Sequence, residues 1–142
     1  MDERAFKERT KQAASRIISL VEALPRTWTS EVLGKQLLRS GTSFAANYRA
    51  ACRAKSNAHM ISKLSDVEEE ADESLFWMEM IIDRKLVKSN LVKPLADEIE
   101  QILSMVVASI NSLRAKQTRV EIPLRSINRT NLKSKIQNQK SK

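Results

Sequence analysis

Apolar residues recur every three or four positions through most of the first 116 residues, a spacing that places side chains on one face of an α-helix. The first apolar stripe covers about residues 2–24 and ends before Pro25, since the residue preceding a proline is disfavoured in the helical conformation. A second stripe covers about residues 31–54, a third starts near Asn57, and a fourth has Pro94 in its first turn. The pattern therefore predicts four helices.

Each predicted helix has one core-facing stripe. In helix 1 the stripe comprises Phe6, Thr10, Ala13, Ile17, Leu20, Val21 and Leu24, and in helix 2 it comprises Leu33, Leu37, Ser40, Phe44, Tyr48 and Ala51. In helix 3 it comprises Met60, Leu64, Val67, Ala71, Leu75, Met78 and Ile82, and in helix 4 Leu95, Ile99, Ile102, Val106, Ile110 and Leu113. The fold class expected is all-α, an antiparallel up-down-up-down four-helix bundle over residues 1–116.

The links between helices are short and carry capping residues. Thr29 or Ser30 is the expected N-cap of helix 2, and Ser56 or Asn57 that of helix 3. Gly34 and Gly41 lie inside helix 2, where each costs roughly 1 kcal/mol relative to alanine. Neither belongs to a phosphate-loop pattern, so close helix–helix approach is favoured over a ligand-cradling role.

Residues 117–142 differ in composition from the rest of the chain. They hold seven basic residues and one acidic residue, a net charge of +6, whereas the whole chain has +8. This segment is rich in Asn, Gln, Ser and Lys and cannot bury enough apolar surface to offset its ordering entropy. The sequence predicts a basic, disordered tail after the bundle.

Composition also sets expectations for the cellular setting. Cys52 is the single cysteine, so no intramolecular disulfide is expected and a reduced, cytoplasmic protein is the default. The N-terminal residues lead into no long apolar segment of the secretory type. The longest apolar runs are a few residues, far short of the roughly 20 that a membrane helix needs.

The sequence predicts no enzyme, cofactor or metal site. A di-metal bundle needs inward-facing Glu residues and Glu-x-x-His spacing, but the single histidine, His59, follows Ser56 at that distance. Arg53 and His59 have a spacing similar to the Arg-x(4–6)-His motif of helical ribonucleases of the HEPN class, a short motif that often matches by chance. Cys52 lacks a credible base and orienting group for nucleophilic catalysis.

Helix 3 is predicted to have a second apolar surface. Asp66, Glu69, Glu70 and Glu73 share its outward side, and the same side continues as Phe76, Trp77, Met80 and Ile81. A helix that is apolar all round is normally buried on all sides, and a four-helix monomer covers only one. Self-association through Glu70, Glu73, Phe76, Trp77, Met80 and Ile81 is therefore expected.

Helix 2 is predicted to present a basic outward stripe. It consists of Lys35, Arg39, Arg49 and Arg53. Residues 64–83 contain eight acidic groups and no basic one, so pairing between the two surfaces explains the stripe more simply than phosphate binding does. Nucleic-acid contact by these four residues remains the second interpretation.

Several of these residues together resemble a known family. The segments Gln36-Leu-Leu-Arg39-Ser-Gly-Thr-Ser43 and Ala46-Asn47, with Ser56, Lys63-Leu64, Glu70-Ala71, Glu73 and Phe76-Trp77, echo its central pattern. Phe6 and Leu24-Pro25 also fit. The chain resembles the bacterial four-helix-bundle proteins found in intervening sequences of 23S ribosomal RNA genes, over roughly residues 5–116. One departure is Ala50, where that family often has Glu.

The resemblance implies a homo-oligomer, most plausibly a ring of five bundles, without enzymatic activity. The family is also similar to the accessory protein that assists reverse transcriptases of diversity-generating retroelements by binding nucleic acid. The expected function is thus a non-catalytic, oligomeric module that binds RNA or DNA as an accessory factor. A protein-interaction scaffold that ignores nucleic acid is the alternative, and a HEPN-like ribonuclease is a remote third.

Overall fold

The protein is all-helical throughout the part that the structure describes. The computed structural model describes the backbone of residues 2–140 and the side chains of residues 2–119, and it contains no strand there. The helices are α1 (Glu3–Glu22), α2 (Trp28–Ala51), α3 (Asn57–Asp83) and α4 (Ser89–Lys140). No helix within those residues is both long and apolar enough to cross a membrane. The predicted all-α four-helix bundle is confirmed.

The chain divides into two compact units, Met1–Ile110 and Asn111–Lys142. The first unit holds α1, α2, α3 and the part of α4 that contributes to the core. The predicted boundary between residues 116 and 117 and the predicted disorder of the tail stay predictions. Side chains from Val120 onward lie outside the described residues, so the basic groups of that tail enter no argument below.

The core lies where the four apolar stripes meet. The predicted stripe of α2 is entirely buried, and in α1 the buried side chains end with Leu20, while Val21 and Leu24 are half-buried. In α4, Ile99 and Ile102 are fully buried, and the buried stripe ends at Ile110. Every buried side-chain polar atom within residues 2–119 has a hydrogen-bond partner. The 3.6-residue period thus located the core of three helices correctly.

The core stripe of α3 differs from the prediction in its second half. Ser74 and Ile81 are fully buried, whereas Leu75 and Ile82, which were expected there, are only half-buried. Ser74 can be buried in the core because its hydroxyl donates a hydrogen bond of 2.9 Å to the hydroxyl of Ser40 on α2. A polar group buried with a partner avoids the desolvation penalty that an unpaired one incurs. The assignment of Ile81 to the outward face is therefore wrong.

The helix ends follow local chemistry, with two departures from expectation. Thr27, rather than Thr29 or Ser30, caps α2, and its hydroxyl accepts from the backbone N–H of Ser30 at 3.2 Å. Ser56 caps α3, as one of the two predicted alternatives. Pro94 is the sixth residue of α4 rather than part of its first turn, because the helix starts at Ser89.

Helices α1 and α2 approach closely at Gly41. A Cβ atom placed on Gly41 would lie 2.5 Å from Cδ1 and 2.8 Å from Cγ2 of Ile17, which is fully buried. At Gly34 the nearest atoms are the side-chain ends of Leu24 and Val21, at 3.2 and 3.3 Å. The backbone of α2 can therefore reach the side chain of Ile17 only because residue 41 has no side chain.

We predict that Gly41→Ala lowers the free energy of unfolding by roughly 1–3 kcal/mol, because overpacking at Ile17 outweighs the gain in helix propensity. Gly34→Ala is the matched control in the same helix, and its flexible neighbours should leave stability unchanged or raised by under about 1 kcal/mol. Adding Ile17→Val, which removes the closest atom, should recover part of the loss. Urea unfolding followed by circular dichroism measures all three, and equal effects of the two glycine variants would contradict the prediction.

Arg9 joins α1 to α4 through a set of polar contacts. Its guanidinium donates to both carboxylate oxygens of Glu98, one of them at 3.1 Å, and to the side-chain oxygen of Gln101 at 2.8 Å. These contacts place the two helices side by side, while α2 packs against both α1 and α3. The hydrogen bond from Arg9 holds the pKa of the Glu98 carboxyl below its ordinary value of 4.5.

The lowered pKa of Glu98 predicts an acid-dependent loss of stability. The Arg9–Glu98 pair stabilises the fold fully above pH 4.5 and loses its contribution as the pH falls through the lower folded-state pKa. Glu98→Gln should cost about 1 kcal/mol near neutral pH, since the pair is partly exposed. Unfolding midpoints of the variant and the wild type should converge in acid, and a constant difference across the pH range would refute this.

Candidate nucleic-acid and oligomer surfaces

A basic groove runs along the surface between α1 and α2. Its volume is about 630 Å³, within the range of about 300–1,000 Å³ that is typical of ligand clefts. The lining residues are Arg4, Lys7, Glu8 and Lys11 from α1, and Ala45, Ala46 and Arg49 from α2. Four cations, one carboxylate and two small side chains thus line the groove. We call this surface the α1–α2 groove.

No acidic side chain of residues 2–119 forms a salt bridge with the cations of the α1–α2 groove. Arg4, Lys7 and Lys11 follow one another at intervals of three and four, so they share one face of α1. Arg4, Lys11 and Arg49 are exposed and Lys7 is half-buried. None of the four forms a salt bridge with another side chain of residues 2–119. Their charge is therefore directed at solvent, where it attracts anions.

Arg39 is paired with carboxylates of α3, whereas phosphate binding would require an unpaired guanidinium. Its guanidinium donates to Glu73 and, at 3.3 and 3.4 Å, to the two carboxylate oxygens of Glu70 on α3. The hydrogen bond from Arg39 holds the pKa of the Glu73 carboxyl below its ordinary value. The pairing between α2 and α3 that the charge pattern favoured is thus present at Arg39.

The structure separates the four cations of the predicted basic stripe. Lys35 lies beside a second cavity, formed by the end of α1 and the start of α2, whereas Arg49 lies in the α1–α2 groove. Fourteen residues of helix place these two about 21 Å apart along the axis. Arg53 lies two residues beyond the last residue of α2, after the C-cap Cys52, and is exposed. Arg49 shares its groove with three other cations, whereas the cavity beside Lys35 contains one other cation, Arg26, and the carboxylates of Glu22 and Glu31.

Arg4, Lys7 and Lys11 are the groove residues that the sequence analysis missed. Their regular spacing on α1 was visible in the sequence and could have identified a basic face opposite the core stripe. Their proximity to Arg49 was not visible there. It depends on the close packing of α1 against α2, which brings two separate helix faces to one groove.

The predicted oligomer face is partly apolar and partly polar. Phe76 is 50% exposed, and its ring packs edge-on against Trp77, with centroids 4.9 Å apart. Trp77 is half-buried, and its indole N–H donates to Glu73 at 3.2 Å. Met80 is half-buried as well. Ile81 does not belong to this face, since it is fully buried within the bundle.

Two further apolar side chains at the start of α2 are exposed to solvent. Trp28 is 82% exposed and Val32 is 45% exposed, one helical turn apart. Trp28 precedes the predicted start of helix 2 near residue 31, so the apolar periodicity placed it on no helix face. Ser74 on α3 contacts Ser40 on α2, so Phe76 and Trp77, which follow Ser74 in the antiparallel helix, lie toward the end of the bundle where α2 starts. We call Trp28, Val32, Phe76 and Trp77 together the apolar end.

The residues considered for catalysis lie at the turn between α2 and α3. Burial raises the pKa of the half-buried Cys52 thiol, which disfavours the reactive thiolate. His59 is exposed in the first turn of α3, and its backbone N–H donates to Ser56 at 3.1 Å. Within the described residues no cluster of three or more His, Cys, Asp or Glu side chains could hold a metal ion.

Comparison with known proteins identifies the same family as the sequence motifs do. Residues 3–108 match the family model described as 23S rRNA-intervening sequence protein. The chain is also similar to a solved structure, a protein with unknown function from the S23 ribosomal protein family of Bacteroides thetaiotaomicron. The identity is 31%, the match covers 78% of this chain and 99% of the other, and the TM-score is 0.72. No curated protein matches the chain.

Proposed function

We propose, for a chain that belongs to the 23S rRNA-intervening sequence protein family, a non-catalytic homo-oligomeric module that binds RNA or DNA as an accessory factor. The observation that carries the nucleic-acid part is the α1–α2 groove, whose four cations have no acidic partner among the described side chains. Lysine and arginine that neutralise phosphates release counterions from the nucleic acid, which drives binding without sequence selection.

The homo-oligomeric part of the proposal rests on exposed apolar side chains. Trp28 and Phe76 of the apolar end are large and are 82% and 50% exposed. Removing apolar surface from water contributes roughly 25 cal/mol per Å², so a modest patch supplies several kcal/mol to association. A closed ring, for which five copies is our proposal, covers such a patch without forming an open fibre.

The same apolar end supports a second candidate, a scaffold that binds a protein partner and ignores nucleic acid. Exposed apolar patches mark protein interaction sites, and aromatic residues such as Trp28 and Trp77 are frequent anchors in them. A nucleic-acid enzyme such as a reverse transcriptase is the partner that joins both candidates, because an accessory factor would contact the enzyme and its template together.

We predict that the full chain binds structured RNA and duplex DNA at about 50 mM salt, with affinity that falls steeply as salt increases. Lys11→Gln combined with Arg49→Gln should weaken binding by about tenfold or more at that salt, since two phosphate contacts are lost. Arg39→Gln is the matched control, because Arg39 is held by Glu70 and Glu73 and should contribute little. Fluorescence anisotropy with labelled nucleic acid measures the affinity of the wild type, the double variant and the control.

The same mixtures separate the competing functions. Absence of binding at low salt would refute nucleic-acid binding and leave the scaffold. RNA cleavage that is lost in His59→Ala would indicate the ribonuclease instead. A larger loss of affinity in Arg39→Gln than in the groove variant would show that the basic stripe of α2, rather than the α1–α2 groove, is the site.

Self-association can be tested by introducing a charged residue at the apolar end. We predict that Trp77→Asp gives smaller particles than the wild type in light scattering, because an unpaired charge is costly to bury at a contact. Trp28→Asp should have the same effect, and since Trp28 is 82% exposed it should leave helicity unchanged. Ile18→Asp on α1 is the control, at a residue 39% exposed and outside the proposed face. A wild-type monomer at micromolar concentration would refute the proposal.

A further inference from the structure

We propose that the α1–α2 groove binds the sugar-phosphate backbone of double-helical nucleic acid and does not read its bases. This inference rests on the proposed function and specifies its ligand. The groove is concave, and the outward-facing backbone of a duplex is the convex part that can enter it. The base edges of a duplex face its own grooves, away from such a contact.

The dimensions of the groove suit a stretch of duplex backbone. Arg4 and Lys11 are seven residues apart, which corresponds to about 10.5 Å along α1. One strand of a duplex advances about 3.4 Å along its axis per nucleotide, so this length spans about three phosphates. Arg49 adds a cation from the opposite wall, and both walls are helices that hold their cations at fixed spacing.

Two small side chains in the groove allow the nucleic-acid backbone to approach α2 closely. Ala45 and Ala46 are the residues that line the groove from α2 besides Arg49, and neither has a side chain beyond Cβ. A backbone that enters the groove can therefore approach α2 without displacing a larger group. The long side chains of Lys7, Lys11 and Arg49 can then reach phosphate oxygens from both sides.

The residues that line the groove favour a duplex over single-stranded nucleic acid as its ligand. Proteins that bind single strands combine a basic groove with aromatic side chains, and stacking contributes about 1–3 kcal/mol per base. None of the seven lining residues is aromatic, and none is an Asn or Gln that would pair with adenine. A duplex carries one charge per about 1.7 Å of axis, so attraction by cations alone favours it over a single strand.

Glu8 opposes binding within the same groove. It is exposed, and its carboxylate accepts a hydrogen bond from the side-chain amide of Gln12 at 2.8 Å. A carboxylate among phosphates is repelled, so its removal should strengthen binding to any polyanion that occupies the groove. This gives a variant with an effect opposite to that of removing a cation, which general loss of structure cannot produce.

The experiment compares duplex RNA, duplex DNA and unstructured single strands of equal length, binding to the full-length protein over a range of salt. Both duplexes should bind about tenfold or more tightly than the single strands, with the same affinity for unrelated sequences. Lys7→Gln with Lys11→Gln should reduce the magnitude of the slope of log affinity against log salt by about 1.8 on duplex. Glu8→Gln should increase duplex affinity.

The outcomes separate this inference from the proposed function. If single strands bind as tightly as duplexes, the inference is overturned while nucleic-acid binding stands. If the groove variants leave the salt slope and the affinity unchanged, the inference is also overturned, since binding then lies elsewhere on the chain. If no nucleic acid binds, the proposed function fails and the inference fails with it. A preference between the two duplexes identifies the source of the backbone and supports the inference in either case.

Discussion

The contact between Ile17 and Gly41 is the constraint on which the candidate site depends. Because residue 41 has no side chain, the branched side chain of Ile17 can lie against the backbone of α2, and the two helices pack closely. The resulting distance between the α1 and α2 backbones decides whether the cations of the two helices line one groove or lie on two unrelated faces. The core of the bundle and its basic surface are thus consequences of the same packing.

The charges of the chain divide into those used within the fold and those directed at solvent. Arg9 joins α1 to α4 through Glu98, and Arg39 joins α2 to α3 through Glu70 and Glu73. A cation held in such a pair has little remaining capacity to attract a distant anion. The α1–α2 groove has no such pairing among the described side chains, so its charge can act on a ligand. The pairing pattern, rather than the count of basic residues, selects the candidate site.

The two proposed surfaces are at different places on the bundle. The apolar end lies toward the start of α2, whereas the α1–α2 groove uses the beginning of α1 and the second half of α2. Because α1 and α2 are antiparallel, the groove lies toward the opposite end of the bundle. Association through the apolar end would therefore leave each groove accessible and would multiply the number of grooves that one nucleic acid could contact.

The sequence by itself determined the four helices, their antiparallel order and most of the core, because helix periodicity and short links depend only on neighbouring residues. It left Ser74 out of the core stripe of α3 and assigned Ile81 to the outward face, although both are fully buried. The burial of Ser74 depends on the hydroxyl of Ser40 from another helix. It also grouped Arg39 with Arg49, although only tertiary packing decides that one is held by carboxylates and the other is not. Contacts between helices join residues distant in sequence, and no local pattern specifies them. The family could be identified from local motifs, but the groove required the packed bundle.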